Sequence, residues 1–193
     1  MKLIHNTIAV ALSLAFCGAA FAQGGTVQRD VNQQQRIEQG LQSGSLNTRE
    51  AARLEGEEAR VQRDQARAMQ DGKLSPAEKA RLSREQNRVS RDIYREKHDA
   101  QTGNPGSASS QRMQADVQRD INQQKRIEQG VQSGSLTTRE AGRLERGQAH
   151  DSSMQARAGA DGHVTSKEQR RVQKSENRES NRIHREKHDA QHK

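Results

Sequence analysis

The sequence predicts an all-α protein built from two tandem three-helix hairpin modules, and three observations carry that expectation. Shifting the chain against itself by 90 residues aligns 27–101 with 117–191 without a gap, and 44 of the 75 aligned positions are identical, the mark of a repeated structural unit. Apolar residues recur at steps of three, four and seven, the spacing of a helix face. Four turns of one design, SGSLNTRE, DGKLSPAE, SGSLTTRE and DGHVTSKE, separate the periodic segments.

The chain opens with Lys2, an apolar run from Ile8 to Phe16 and the small-residue site Ala20, Phe21, Ala22. This is the pattern of a secretory signal peptide over residues 1–22, cleaved after Ala22, and it implies a periplasmic or secreted protein. The apolar run is about half of the ~20 residues that span a bilayer, so no transmembrane segment is expected. Cys17 is the single cysteine and falls in the leader, so the mature chain has no disulfide and no thiolate chemistry. Tyr94 is then the one remaining aromatic residue.

The first repeat is read as 23–101. Val27, Val31, Ile37 and Leu41 mark its first helix; Leu54, Val61 and Ala68 the second, near residues 48–70; Leu82, Val89 and Ile93 the third, near 76–101. A Gly/Pro/Ser-rich stretch, TGNPGSASS, sets a flexible linker at 102–116, and the second repeat follows at 117–193. In each turn a glycine (Gly44, Gly72, Gly134, Gly162) ends one helix in the left-handed conformation. Asn47, Ser75, Thr137 or Thr165 caps the next, and Glu50, Glu78, Glu140 or Glu168 three residues on returns the hydrogen bond.

Leu, Ile, Val and Phe make up roughly an eighth of the mature chain, below the ~20% at which high charge suggests disorder, so the expectation is split between extended helices and a partly disordered chain. A thin core one seam wide is therefore expected. Glu58, Gln65 and Gln86 interrupt that seam where a coiled coil wants apolar groups, which predicts marginal stability unless copies pair as a homo-oligomer. The second repeat weakens further: Val61 corresponds to Asp151, Val89 to Glu179 and Met69 to Gly159. Gly142, Gly147 and Gly159 should fray its middle helix at ~1 kcal/mol each relative to alanine.

Charge points to partners. Lys and Arg number 33 against 25 Asp and Glu, a formal charge of +8 with pI near 10.1, which favours anionic material. Alternating signs at helix-neighbour spacing also fit a solvated surface. Histidines gather in the second repeat, and His184, His188 and His192, spaced by four, fall on one helix face where imidazoles can chelate Cu, Ni or Zn. His150 and Met154 form a second, softer candidate pair for copper. The same histidines also suit the dipole of a helix C-terminus.

Two resemblances follow from the turns. DGKLSPAE resembles the second half of a calcium-binding EF-hand loop, with Asp71, Gly72, Leu74 and Glu78 in place. Arg67 and Met69, and Arg157 and Gly159 in the second repeat, stand where the first acidic ligands would be, so the oxygen cage is incomplete. The segments LNTRE, LSPAE, LTTRE and VTSKE resemble the LTxxQ motifs of the small periplasmic proteins of the Spy and CpxP type, with glutamate in place of glutamine. That resemblance implies an envelope-stress role, including ATP-independent chaperoning and zinc response.

No nucleophile beside a base, phosphate loop or HExxH motif is present, and a narrow seam builds no dry pocket, so a non-enzymatic protein is expected. The leading expectation is an envelope- or metal-stress accessory that binds a divalent transition metal at the histidine row. The alternatives are a chaperone-like or polyanion-binding module acting on unfolded proteins or anionic envelope components, and a structural spacer. Nucleic acid is not expected, because export separates the chain from it and one tyrosine offers little base stacking.

Overall fold

The computed structural model describes residues 17–189, with side chains from 25 to 189. The leader (1–16, and the side chains up to Ala22) and His192 therefore lie outside the described residues. Six helices follow in order: α1 (Cys17–Ser43), α2 (Thr48–Ala68), α3 (Pro76–Lys97), α4 (Ala108–Gln132), α5 (Thr138–Ala158) and α6 (Ser166–His188). No strand occurs among the described residues.

The turns form as their residues dictate. Gly44, Gly72, Gly134 and Gly162 all have positive φ, between 72° and 90°, a region that only glycine enters without a Cβ clash. Asn47, Ser75, Thr137 and Thr165 each cap a helix, and the glutamate three residues on closes the reciprocal bond, so all four capping boxes are present. The connection between repeats is shorter than its composition suggests, because Ser107 caps α4 and helix begins at Ala108. It is also tied down. Gly103 donates its N–H to the Gly44 carbonyl at 2.8 Å, and its bare Cα lies against the Leu46 backbone, leaving no room for a side chain.

The two repeats do not stand apart. α1 packs on α4 and α2 on α5, while α3 lies against α1 and α2, and α6 against α4 and α5. Reciprocal contacts define a local two-fold axis. Arg49 donates to the Asp161 carbonyl while Arg139 donates to that of Asp71, and Gly142 meets Met69 while Gly159 meets Ala52. These pairings make α2 and α5 antiparallel. The four central helices form two layers, and α3 and α6 occupy the two opposite outer faces.

This packing corrects the thin seam. Val27, Ile37, Leu41, Leu54, Met69 and Ile93 from the first repeat, and Met113, Ile121, Ile127, Leu144 and Ile183 from the second, are all buried in a compact interior that both repeats build together. The seam breakers are inside as well: Glu58, Gln65 and Gln86 are buried. Each repeat covers the other's seam, which is why neither needs a full apolar face of its own.

The α5 glycines also take a different role from the one their propensities suggest. A methyl group on Gly142 would sit 2.8 Å from Met69 Cβ, and one on Gly159 2.8 Å from Ala52 Cβ. Gly147 leaves room for the Glu179 carboxylate. Close helix approach, not fraying, explains them, and α5 runs unbroken from Thr138 to Ala158.

Gly142→Ala separates the two accounts. Helix propensity alone predicts a gain of ~1 kcal/mol. The packing predicts a net loss of about 1–3 kcal/mol, because both Cβ atoms stand on helix backbones that must part. Urea denaturation of the variant should show the loss.

Candidate functional site

The interior explains the surface. Beneath the apolar residues lies a layer of amides and carboxylates repeated in both halves. Gln34 Nε2 donates to Glu55 Oε2 at 2.9 Å and Gln124 to Glu145 at 3.2 Å; Gln65 donates to Asp30 at 2.8 Å and Gln155 to Asp120 at 2.9 Å. Gln33 and Gln123 reach across to backbone carbonyls of Gln86 and Glu176. Among the described residues no Lys or Arg is buried with these acids.

A carboxylate stripped of water holds its proton more tightly, even where an exposed guanidinium at the rim opposes the shift, as Arg119 does for Glu176 and Arg182 for Glu179. Burial pushes Asp30 and Glu55 up to about 7, and amide donors oppose it only in part. Asp116 and Glu179 are raised to about 7, Asp151 to about 6 and Glu176 to about 9, again chiefly by burial. Glu58, with both oxygens lacking a hydrogen-bond partner, is driven well above the usual range by burial and by Asp30, Glu55, Glu57 and Glu145 around it; Asp120 and Glu145 are raised similarly.

The cations are all outside, and the outer helices concentrate them. On α3 the exposed charged side chains before its C-cap are Arg81, Arg84, Arg88, Arg91 and Arg95, at steps of three and four, with Asn87 and Tyr94 between them. The acids of the same helix turn inward or aside: Glu96 is buried, and Glu85 and Asp92 are half-buried. On α6 the exposed basic side chains are Lys167, Arg170, Arg171, Lys174, Arg178, Arg182 and Arg185, with His184 and His188, whereas Glu176 and Glu179 are buried, Glu186 is half-buried and Glu168 caps its own helix. Arg81 pairs with Asp64 and Glu85, Arg95 with Asp92, and Arg182 with Glu179. Arg84, Arg88, Arg91, Lys174 and Arg178 form no ion pair among the described residues. At 1.5 Å per residue the cationic stripe runs about 21 Å along α3, from Arg81 to Arg95, and about 27 Å along α6, from Lys167 to Arg185.

Of the histidine row, His184 and His188 lie among the described residues. His184 and His188 are exposed and stacked, with ring centroids 4.3 Å apart, and His188 Nδ1 lies 2.7 Å from the His184 carbonyl. Stacked rings aim their nitrogens side by side, so shared chelation requires one ring to turn. Tyr94 and His98 stack in the same way in the first repeat, at 4.1 Å, which marks the arrangement as a repeated helix-end feature. His150 is exposed on α5, while Met154 is half-buried and lines a groove with Arg157, Glu168 and Arg171.

Sequence spacing did not reveal a pair of acidic clusters. Glu50, Glu96 and Asp99 bring carboxylate oxygens within 4.8 Å of one another, as do Glu140, Glu186 and Asp189. Arg53 holds both Glu96 oxygens at 3.2 Å, and Arg143 lies 2.9 Å from Glu186 and 3.6 Å from Glu140. The clusters are thus ion-paired staples that fasten the start of α2 or α5 to the end of α3 or α6.

The residue signal for the cationic faces was nevertheless present in the sequence. Val172, Glu176, Glu179 and Ile183 share the helical stripe that faces the core, so the acids of α6 occupy apolar positions while its arginines do not. Comparison with known protein families, curated proteins and solved structures finds no match for this chain.

The raised acids fix the sign of the pH dependence. In the unfolded chain they ionise near 3.8 or 4.5, whereas in the fold several hold protons until about pH 7, so the native state binds more protons. The stability they contribute is full below about pH 4 and is lost as pH rises through about 7. Thermal unfolding followed by circular dichroism should show a melting temperature on the order of 10 °C higher at pH 5 than at pH 8. An unchanged or higher value at pH 8 would show that the interior acids are solvated.

Proposed function

We propose that this chain is a non-enzymatic, exported protein that binds the phosphate-bearing surface of an anionic membrane through the arginine-lined faces of α3 and α6. The observation that carries the reading is the radial sorting of charge: carboxylates inside, guanidinium groups outside in two straight stripes. Arginine matches phosphate oxygens bidentately and is weakly hydrated, so it exchanges water for headgroup contacts readily. No helix among the described residues is long and apolar enough to cross a membrane, and the binding is therefore read as peripheral. Tyr94, 61% exposed within the α3 stripe, is the one large apolar side chain on the described surface. That single ring gives little grip on unfolded clients, and it suits the water–headgroup boundary.

Co-sedimentation with vesicles tests this. The mature protein should bind phosphatidylglycerol vesicles, ignore phosphatidylcholine vesicles, and be released as salt shortens the screening length. Each basic side chain near an anionic surface contributes ~1 kcal/mol, so reversing four, Arg84→Glu and Arg88→Glu with Lys174→Glu and Arg178→Glu, should weaken binding by roughly a hundredfold or more. Equal binding to both vesicle types, or clear preference for duplex DNA over anionic vesicles, would overturn the reading.

A second reading places a transition metal at the C-terminal histidines, favoured by the exposure of His184 and His188 one turn apart. A proton on His188 Nδ1, donated to the His184 carbonyl, leaves its Nε2 free to ligate Cu, Ni or Zn. Calorimetric titration of Cu(II), Ni(II) and Zn(II) should give a saturable heat that His184→Ala, His188→Ala and His192→Ala together abolish. Equal weak heats from both proteins would remove this reading.

A further inference from the structure

We infer that the protein bridges two anionic membrane surfaces, holding one on its α3 face and the other on its α6 face. This rests on the membrane-surface reading above and adds a second, simultaneous contact. Its basis is the local two-fold axis. The axis lies between the α1/α2 and α4/α5 layers, so it carries α3 onto α6 and turns the first arginine stripe to face away from the second. Arg84 and Arg88 correspond to Lys174 and Arg178, and Arg95 to Arg185, so both sides keep the cations that matter.

Rigidity is what makes the arrangement a bridge. Two basic helices on a flexible tether would swing onto one surface and bind it together. Here the repeats share one interior and the connection is pinned at Gly103, so the two stripes cannot turn to the same side without unfolding the core. Three helix-to-helix spacings separate their axes, roughly 25–30 Å. One planar surface reaches only one stripe at a time, which leaves the other open to a second surface.

Duplication also explains a feature that single-surface binding leaves idle. A peripheral protein needs one cationic face, yet the second repeat has drifted at many positions while keeping its own. Asp151 and Glu179 replaced the apolar Val61 and Val89 equivalents, and both new acids went inward, so the α6 face stayed cationic.

Dynamic light scattering and co-sedimentation, run on the same samples of mature protein, test the inference with vesicles of equal parts phosphatidylglycerol and phosphatidylcholine. Wild type should bind and cluster the vesicles, and clustering should fall again at excess protein, when every surface is occupied and no bridges remain. Arg84→Glu with Arg88→Glu, or Lys174→Glu with Arg178→Glu, should each still bind through the untouched stripe yet cluster at least about tenfold less. The matching Arg→Gln and Lys→Gln variants give the milder form of the test should a reversal lower the melting temperature. Wild-type binding without clustering would overturn the inference and leave the membrane-surface reading intact. Clustering by a one-stripe variant equal to wild type would also overturn it, because self-association would then make the links. Absence of co-sedimentation would overturn both.

Discussion

Carboxylates buried without cations constrain everything else in this molecule. A solvent-free acid with no buried cation keeps its proton to higher pH, and glutamine is a fitting companion because its amide donates to the carboxyl oxygen and partly opposes the cost of burial. The pairs Gln34 with Glu55 and Gln65 with Asp30, and their equivalents in the second repeat, are built this way. The interior can thus be compact without being rich in Leu or Phe. It also means that every guanidinium must find its place at the surface.

Shape follows from the same constraint. Neither repeat closes its core alone: the amide–carboxylate bonds form within each repeat, and the meeting of α1 with α4 and α2 with α5 shuts that layer away from water. The close approach of α2 and α5 depends on small residues, with Gly142 against Met69 and Gly159 against Ala52. Bulk is placed differently at the two equivalent sites: Gly142 admits Met69, whereas at Gly159 the space is taken by the Met113 side chain and the Ala52 methyl. The molecule is in effect a dimer of one module joined by a short connection, and the covalent joining let the halves diverge where a symmetric dimer could not.

The divergence is instructive in α6. Glu179 occupies the place of an apolar residue, and Gly147 is the partner change that admits its carboxylate. Each of these residues taken alone looks like damage to a helix. Together they are a swap of volume and polarity inside a closed interior, and they leave the outer face of α6 almost purely cationic.

Helices, turns and duplication were determined by the sequence itself, because they depend on interactions within a few residues. Left-handed glycines, four capping boxes and the three-to-four spacing of apolar residues act locally, and each stands where its residues place it. Other expectations depended on what lies across from a side chain, and these the tertiary structure decided. Glu58, Gln65 and Gln86 read as flaws in a seam until packing buried them, with Gln65 and Gln86 both donating to Asp30 of their own repeat. The α5 glycines read as weak points until α2 came within a Cβ contact, and the stacking of His184 on His188 depends on how the rings turn at a helix end. The two cationic faces were latent in the spacing along α3 and α6, and burial settled them by separating acids from arginines on the same helices. Sequence fixes the order of charges along a helix, but desolvation, which acts only after packing, decides which of them remain charged and which way they face.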